Sequence, residues 1–182
     1  MNRLLANCEI IALDRQVSLV ASDGSVFPID RVLEVLAEEI EVSYPEAYKA
    51  LSELYAESAL NRTYFLKRIV SRFVRCNFSP ADNKPDIRNG SFCNFEYVPC
   101  PLRGECKLEN IVCGPKYKPS LRASEYRVMR MWFESYNEDE IADALNISQF
   151  TVHNHIRNAY ARLGVHSRSE FIKYAVLHNL FS

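Results

Sequence analysis

From Pro28 to Val42 the apolar residues Val32, Val35, Leu36 and Ile40 recur at three- and four-residue intervals, which places them on one face of a helix. Tyr44-Pro45 interrupts the pattern, and Pro45 suits the first turn of a second helix with Ala47, Tyr48, Leu51, Leu54 and Tyr55 as its stripe. Asn61 predicts the cap of a third helix over about Arg62 to Arg75. Leu66, Ile69, Val70 and Phe73 share its apolar face, and Arg68, Arg72 and Arg75 line the other side. That arginine row reads either as a solvated face or as a stripe of phosphate contacts. Residues 1–27 are ambiguous. Ile10 to Leu13 and Val17 to Ala21 admit short strands beside the turn signal Ser22-Asp23-Gly24. Residues 77–91, with Pro80, Pro85, Gly90 and several Asp and Asn, read as a linker. A cysteine-rich stretch follows, Phe92 to Pro115.

The clearest pattern lies between Asn137 and Leu163. Asn137 followed by Glu140 predicts a capping box, and Ile141, Ala142 and Leu145 are the apolar positions of the short helix that results. Asn146-Ile147-Ser148 is the connection, Ser148 caps the next helix, and Gly164 stands where a left-handed residue is wanted. Two short helices joined this closely follow the helix-turn-helix plan. On the second helix, Ser148 to Leu163, the residues Val152, Ile156, Ala159 and Leu163 fall together and face inward. His153, Asn154, Arg157 and Ala161 lie opposite, with Phe150 one turn earlier. In the major groove Arg pairs with guanine, Asn pairs with adenine, and an apolar ring meets the thymine methyl.

These residues resemble the LuxR-type (LuxR/FixJ-like) helix-turn-helix of bacterial transcriptional regulators, over roughly residues 120–177. The matching positions are Leu121, Glu125, Val128, Met129, Glu140-Ile141-Ala142, Leu145, Ile147-Ser148, Thr151-Val152, His155, Asn158, Leu163-Gly164-Val165 and Arg168. The resemblance implies a four-helix domain that binds double-stranded DNA, with its third helix in the major groove. It places base contacts on His153, Asn154 and Arg157, and phosphate contact or support on Thr151, His155, Arg162 and Arg168. It also implies a homodimer contact on the last helix, Ser167 to Leu177, where Phe171, Ile172, Ala175 and Val176 are apolar. Four positions depart from the family pattern: His153 and Asp139 replace basic residues, Arg122 replaces a Thr cap, and Ser135 replaces a Gly.

Composition adds limits. A length of 182 residues suits one or two domains, and 48 % hydrophobic with 25 % charged residues excludes wholesale disorder. Five Gly against ten Phe and ten Tyr favours helices over turn-rich β structure. The expected fold is therefore mainly α. An acidic helical domain (1–76), the linker (77–91), a cysteine-rich segment (92–118) and the helix-turn-helix domain (119–182) follow in order. No apolar run of ~18 residues is present, and Met1 to Leu13 makes a poor secretory signal, so a cytoplasmic protein without membrane contact is expected. The net charge of −1 hides an asymmetry, since residues 1–60 carry −7 and residues 61–182 carry +6, as suits nucleic-acid binding by the basic part.

Cys93, Cys100, Cys106 and Cys113 are spaced C-x6-C-x5-C-x6-C. Four thiolates close a tetrahedral zinc site or hold an iron–sulfur cluster, although the C-x2-C knuckle of zinc ribbons is missing. The alternative is free thiols. Cys8 and Cys76, among apolar neighbours, read as small buried hydrophobes. A metal or redox input through the cluster is the expected signal, with no small-molecule ligand. Catalysis is not expected, because all four His lie in the C-terminal unit and no phosphate-binding Gly loop is present. Two other readings stay open: a sigma-factor-like promoter-binding protein and a non-catalytic adaptor with a structural zinc. Against the former, residues 1–75 show no aromatic–basic patch.

Overall fold

The two apolar runs near the start of the chain pair as strands β1 (Asn7–Leu13) and β2 (Gln16–Ala21) of a computed structural model, which describes residues 5–13, 16–78, 82, 84–178 and 180–181. Their burial has the two-residue period of a half-buried sheet: Cys8 and Ile10 on β1 and Val17 and Leu19 on β2 face the core. Asp23 accepts the Ser25 N–H at 2.9 Å and turns the chain into β3 (Val26–Pro28). On its other edge β1 pairs with β4 (Ile87–Arg88), which pairs with β5 (Ser91–Phe92). The result is a five-stranded antiparallel sheet in the order β3-β2-β1-β4-β5.

This sheet overturns the mainly α reading and its helical N-terminal region. Strands of two residues carry no readable periodicity, and the partner of β1 lies about eighty residues away in sequence. The stretch read as a linker ends in a tight hairpin. Asn89 and Gly90, both at positive φ (51° and 89°), form its two-residue turn. Asn-Gly is the dipeptide that such turns favour, because both positions need a left-handed backbone. Asp86, just before β4, is buried and accepts the Ile10 N–H at 2.8 Å, which ties the hairpin to β1. Burial pushes its carboxyl up to about 7, against the hydrogen bond from Ile10.

Helices α1 (Leu33–Ser43), α2 (Pro45–Leu54) and α3 (Arg62–Asn77) complete this unit. Leu33, Leu36, Ala37 and Ile40 of α1 share one core with Leu66, Ile69, Val70, Phe73 and Val74 of α3 and with the inner residues of the sheet. Val35, expected on the inner face of α1, is exposed instead. An aromatic group fills the centre, with Phe73 at 5.3 Å from Tyr44 and 5.1 Å from Phe92. Glu39 is carried into this packing, and burial raises its carboxyl to about 7.

The chain divides after Lys118 into two units, and the second, Pro119–Ser182, is helical. It holds α4 (Ala123–Phe133), α5 (Glu138–Leu145), α6 (Gln149–Leu163) and α7 (Arg168–Leu177). Its buried apolar residues include Val128, Met129, Ile141, Val152, Ile156, Ala159, Phe171 and Ala175. Among the described residues no helix is long and apolar enough to cross a membrane.

Candidate nucleic-acid interface

Each helix of the C-terminal unit starts and stops on a local device. Asn137 accepts the Glu140 N–H at 2.9 Å, and Glu140 returns the bond by accepting the Asn137 N–H at 2.8 Å. The helix α5 ends on Asn146, whose φ of 53° turns the chain sharply. Two residues later Ser148 accepts the Thr151 N–H at 3.1 Å and opens α6. Gly164, at φ 68°, closes α6, and the Val165 N–H reaches back to the Tyr160 carbonyl. A left-handed residue in this position favours glycine, because a side chain there crowds the following carbonyl. Ala142 is buried between the two helices, where its small side chain permits close approach.

This framing fixes which side of α6 meets solvent. Val152, Ile156, Ala159 and Leu163 are buried, His153 and Arg157 are exposed, and Asn154 is half-buried. Phe150 stands 75 % exposed at the start of the same helix, a large apolar ring with no core to join. His153 Nδ1 lies 3.4 Å from Glu138 Oε1. Arg157 and His153 border an open groove of about 600 Å³ that continues to Trp132 and Arg168.

The four residues to which the resemblance assigns phosphate contact or support sit differently from one another. Thr151 belongs to the cap of α6, its hydroxyl 2.8 Å from that of Ser148. His155 is half-buried. Arg162 pairs with Glu125 at 3.2 Å, and that carboxylate, 2 % exposed, also accepts the Arg122 N–H at the start of α4. Arg122 has no acceptor to offer as a side-chain cap, so Glu125 supplies only the return half of a capping box. Arg168 stacks on Trp132 at 3.9 Å and donates to the Trp132 carbonyl at 2.8 Å, clasping the end of α4.

Residues 119–175 match the family described as bacterial regulatory proteins, luxR family. This segment is a LuxR-family domain. An HTH-type transcriptional regulator MalT of Yersinia pestis (strain Pestoides F) is 30 % identical over 76 residues, covering 39 % of this chain and 8 % of that protein. The MalT of Cronobacter sakazakii (strain ATCC BAA-894) is 34 % identical over 55 residues, covering 30 % and 6 %. The chain therefore spans less than a tenth of the length of these curated relatives. No solved structure matches. The luxR family match lies within the C-terminal unit, Pro119–Ser182.

The cysteines are arranged otherwise than their spacing suggested. Cys93 is buried and donates to the Pro85 carbonyl at 3.1 Å, with Asp86 and Arg88 as its charged neighbours, and burial pushes its thiol up to about 11. Cys76, read from sequence as a plain apolar filler, is the one that meets the others. Its thiol has Cys113 and Cys100 nearby, and burial, first, with these sulfurs pushes it up to about 12. Arg72 has Cys76 and Cys106 as neighbours. Among the described residues no three Cys, His, Asp or Glu side chains stand together as a ready metal site.

Sequence reading found the arginine row of α3 but missed the aromatic rings beside it. Arg68 lies 4.1 Å from the centre of the Tyr55 ring and 5.7 Å from that of Tyr64, and donates to Ser58 at 2.7 Å. With Lys67, Arg72 and Arg75 these residues line an open groove of about 500 Å³. The aromatic–basic combination is therefore present in this unit. Tyr55 and Tyr64 are nine positions apart and belong to different elements, so no single helical stripe announces it.

Proposed function

We propose that the chain is a sequence-specific transcriptional regulator that lays α6 in the major groove of double-stranded DNA. The observation that carries this is the face of α6 with His153, Asn154 and Arg157 directed away from the unit's core, on a helix held rigidly between Ser148 and Gly164. Arg157 reads guanine, Asn154 reads adenine, and Phe150 touches a thymine methyl. Thr151 holds the helix start toward the phosphates, and His155 stands beside it. Arg162 and Arg168 act by holding the frame: one ties α6 to Glu125, the other closes α4. The luxR family match and the likeness to MalT, an HTH-type transcriptional regulator, support the regulatory reading.

The test is selection of a preferred duplex from random sequence with the full chain, followed by titration of variants. Arg157→Ala is expected to cost ~1–3 kcal/mol at the selected site and to relax preference at one base pair. Unchanged affinity and preference in both Arg157→Ala and Asn154→Ala, with helicity intact, would falsify the assignment of α6.

The last helix supports a homodimer on DNA. Phe171 and Ala175 turn inward, while Ile172 and Val176, one turn apart, remain exposed at 36 % and 65 %. Two copies meeting through this pair would set two recognition helices on successive half-sites. Sedimentation with a two-half-site duplex is expected to show two copies bound, and Val176→Glu to reduce this to one. A single copy of the unaltered chain at saturation counts against the dimer.

A further inference from the structure

Asn77, the last residue of α3, is fully buried, and its amide is fully used. The Nδ2 group donates to the Phe73 carbonyl at 2.8 Å and to the Val112 carbonyl at 2.7 Å, and Oδ1 accepts the Gly114 N–H at 2.8 Å. The two partners beyond its own helix are the residues on either side of Cys113. One buried side chain therefore clamps both flanks of Cys113 against the end of α3, and the residue before the clamp is Cys76. The thiols of Cys76 and Cys113 are thereby neighbours.

The rest of the segment winds toward the same place. Arg103 N donates to Cys100 O at 3.2 Å, Cys106 N to Leu102 O at 2.9 Å, and Glu109 N to Cys106 O at 3.0 Å. A bridge then joins Glu109 to Cys113. These turns bring Cys100 beside Cys76 and put Cys106 on the guanidinium of Arg72. Within residues 97–118 only Val112 and Pro115 are buried, so hydrophobic burial does little to hold this run of turns. An ordered loop with so small a core is the setting in which metal binding contributes folding energy.

We infer that Cys76, Cys100, Cys106 and Cys113 form a four-thiolate site for a thiophilic metal centre, with Cys93 outside it. Cys113 and Cys100 lie about Cys76, and Cys106 joins them only through Arg72, so among the described residues no three of these thiols yet stand together. Closure asks Cys100 and Cys106, which sit on turns, to swing toward the pair that Asn77 has already set. Four thiolates around a divalent ion leave a formal double negative charge. Arg72 offsets part of it, with a buried Nε that has no hydrogen-bond partner. A single zinc ion and an iron–sulfur cluster share this donor chemistry. The proposal is independent of the DNA-binding reading.

The experiment begins with the full chain purified without oxygen or chelator, measuring zinc, iron and acid-labile sulfide. About one zinc per chain, or iron with matching sulfide and a brown colour, supports the site and tells the two centres apart. Cobalt(II) alone, titrated into the reduced, metal-free chain, is expected to give intense thiolate-to-cobalt absorption that saturates near one equivalent. Cys76→Ser, Cys100→Ser, Cys106→Ser and Cys113→Ser should each abolish that absorption, and Cys93→Ser and Cys8→Ser should keep it. Loss in Cys93→Ser with retention in Cys76→Ser overturns the assignment, as does a chain that takes up neither native metal nor cobalt. X-ray absorption on the unaltered cobalt-loaded chain does not depend on any variant folding. A shell of sulfur alone supports the site, and nitrogen or oxygen neighbours overturn it.

Discussion

In the C-terminal unit α5, α6 and α7 begin on Asn137, Ser148 and Ser167, each accepting a backbone N–H three residues on. In the N-terminal unit α1 and α2 begin on Val32 and Tyr44 without a side-chain cap, and α3 has one from Asn61. What organises that unit instead is pairing between distant segments: β1 with β4, Asp86 with Ile10, Asn77 with Val112 and Gly114. One unit is specified by rules that act within a turn or two of helix, the other by contacts that close loops of tens of residues. A family pattern of spaced single residues survives in the first kind of unit, since each position has a fixed local job.

The sharpest way to break this comparison is to unfold one unit and watch the other. Trp132, the chain's one tryptophan, belongs to the C-terminal unit and reports on it alone. Phe171 and Phe73 are both fully buried, so truncating either to Ala should cost ~3–5 kcal/mol. Phe171→Ala is expected to shift the Trp132 fluorescence transition in denaturant, and Phe73→Ala to shift only the far-ultraviolet signal of the other unit. Movement of the Trp132 transition in Phe73→Ala would mean that the two units melt as one.

A smaller effect separates the units by pH. Glu39 and Asp86 are raised to about 7 by burial, so the folded N-terminal unit holds protons that the unfolded chain has released. Its stability is greatest in acid and falls as pH rises from about 4 to about 7. His178, packed 4.4 Å from Tyr174, is lowered by burial to about 4. Here the unfolded chain binds the extra proton, and the C-terminal unit loses stability as pH falls from about 6.5 to about 4. Denaturant midpoints of the two units plotted against pH should therefore slope in opposite directions. Asp86→Asn should flatten the first line and His178→Gln the second, and parallel slopes would contradict both assignments.

The smallest effect tests local specification. Ser135 follows α4 at φ 73°, and the Tyr136 N–H reaches back to the Met131 carbonyl, a helix stop that favours glycine. Ser135→Gly should raise the C-terminal unit's stability by about 0.5–1 kcal/mol in denaturant melts, and any loss would show that the serine side chain has a role of its own.

The caps, the turn at Asn146 and the two faces of α6 were legible in sequence because each depends on residues within one turn of its partners. The strands β4 and β5 were hidden by their two-residue length, although Asn89-Gly90 was a local sign of their hairpin. Spacing placed Cys93 in the thiol set because it is the nearest fourth cysteine along the chain. The proposed site takes Cys76 in its place, because the Asn77 clamp, which spans 35 and 37 residues, sets Cys113 against the end of α3. The second partner of Glu125 was likewise invisible, since a carboxylate three residues inside a helix does not announce Arg162, 37 residues away.

The pairing of β1 with β4 also sets a schedule for the chain as it is made. At ~5–20 residues per second, roughly 4–16 s separate the synthesis of Cys8 from that of its partner Ile87. During that interval β1 has β2 on one side and a row of open N–H and C=O groups on the other, which is the condition that invites pairing with a neighbouring nascent chain. Fast translation, or a chaperone that shields this edge until Phe92 has emerged, should raise the yield of soluble protein.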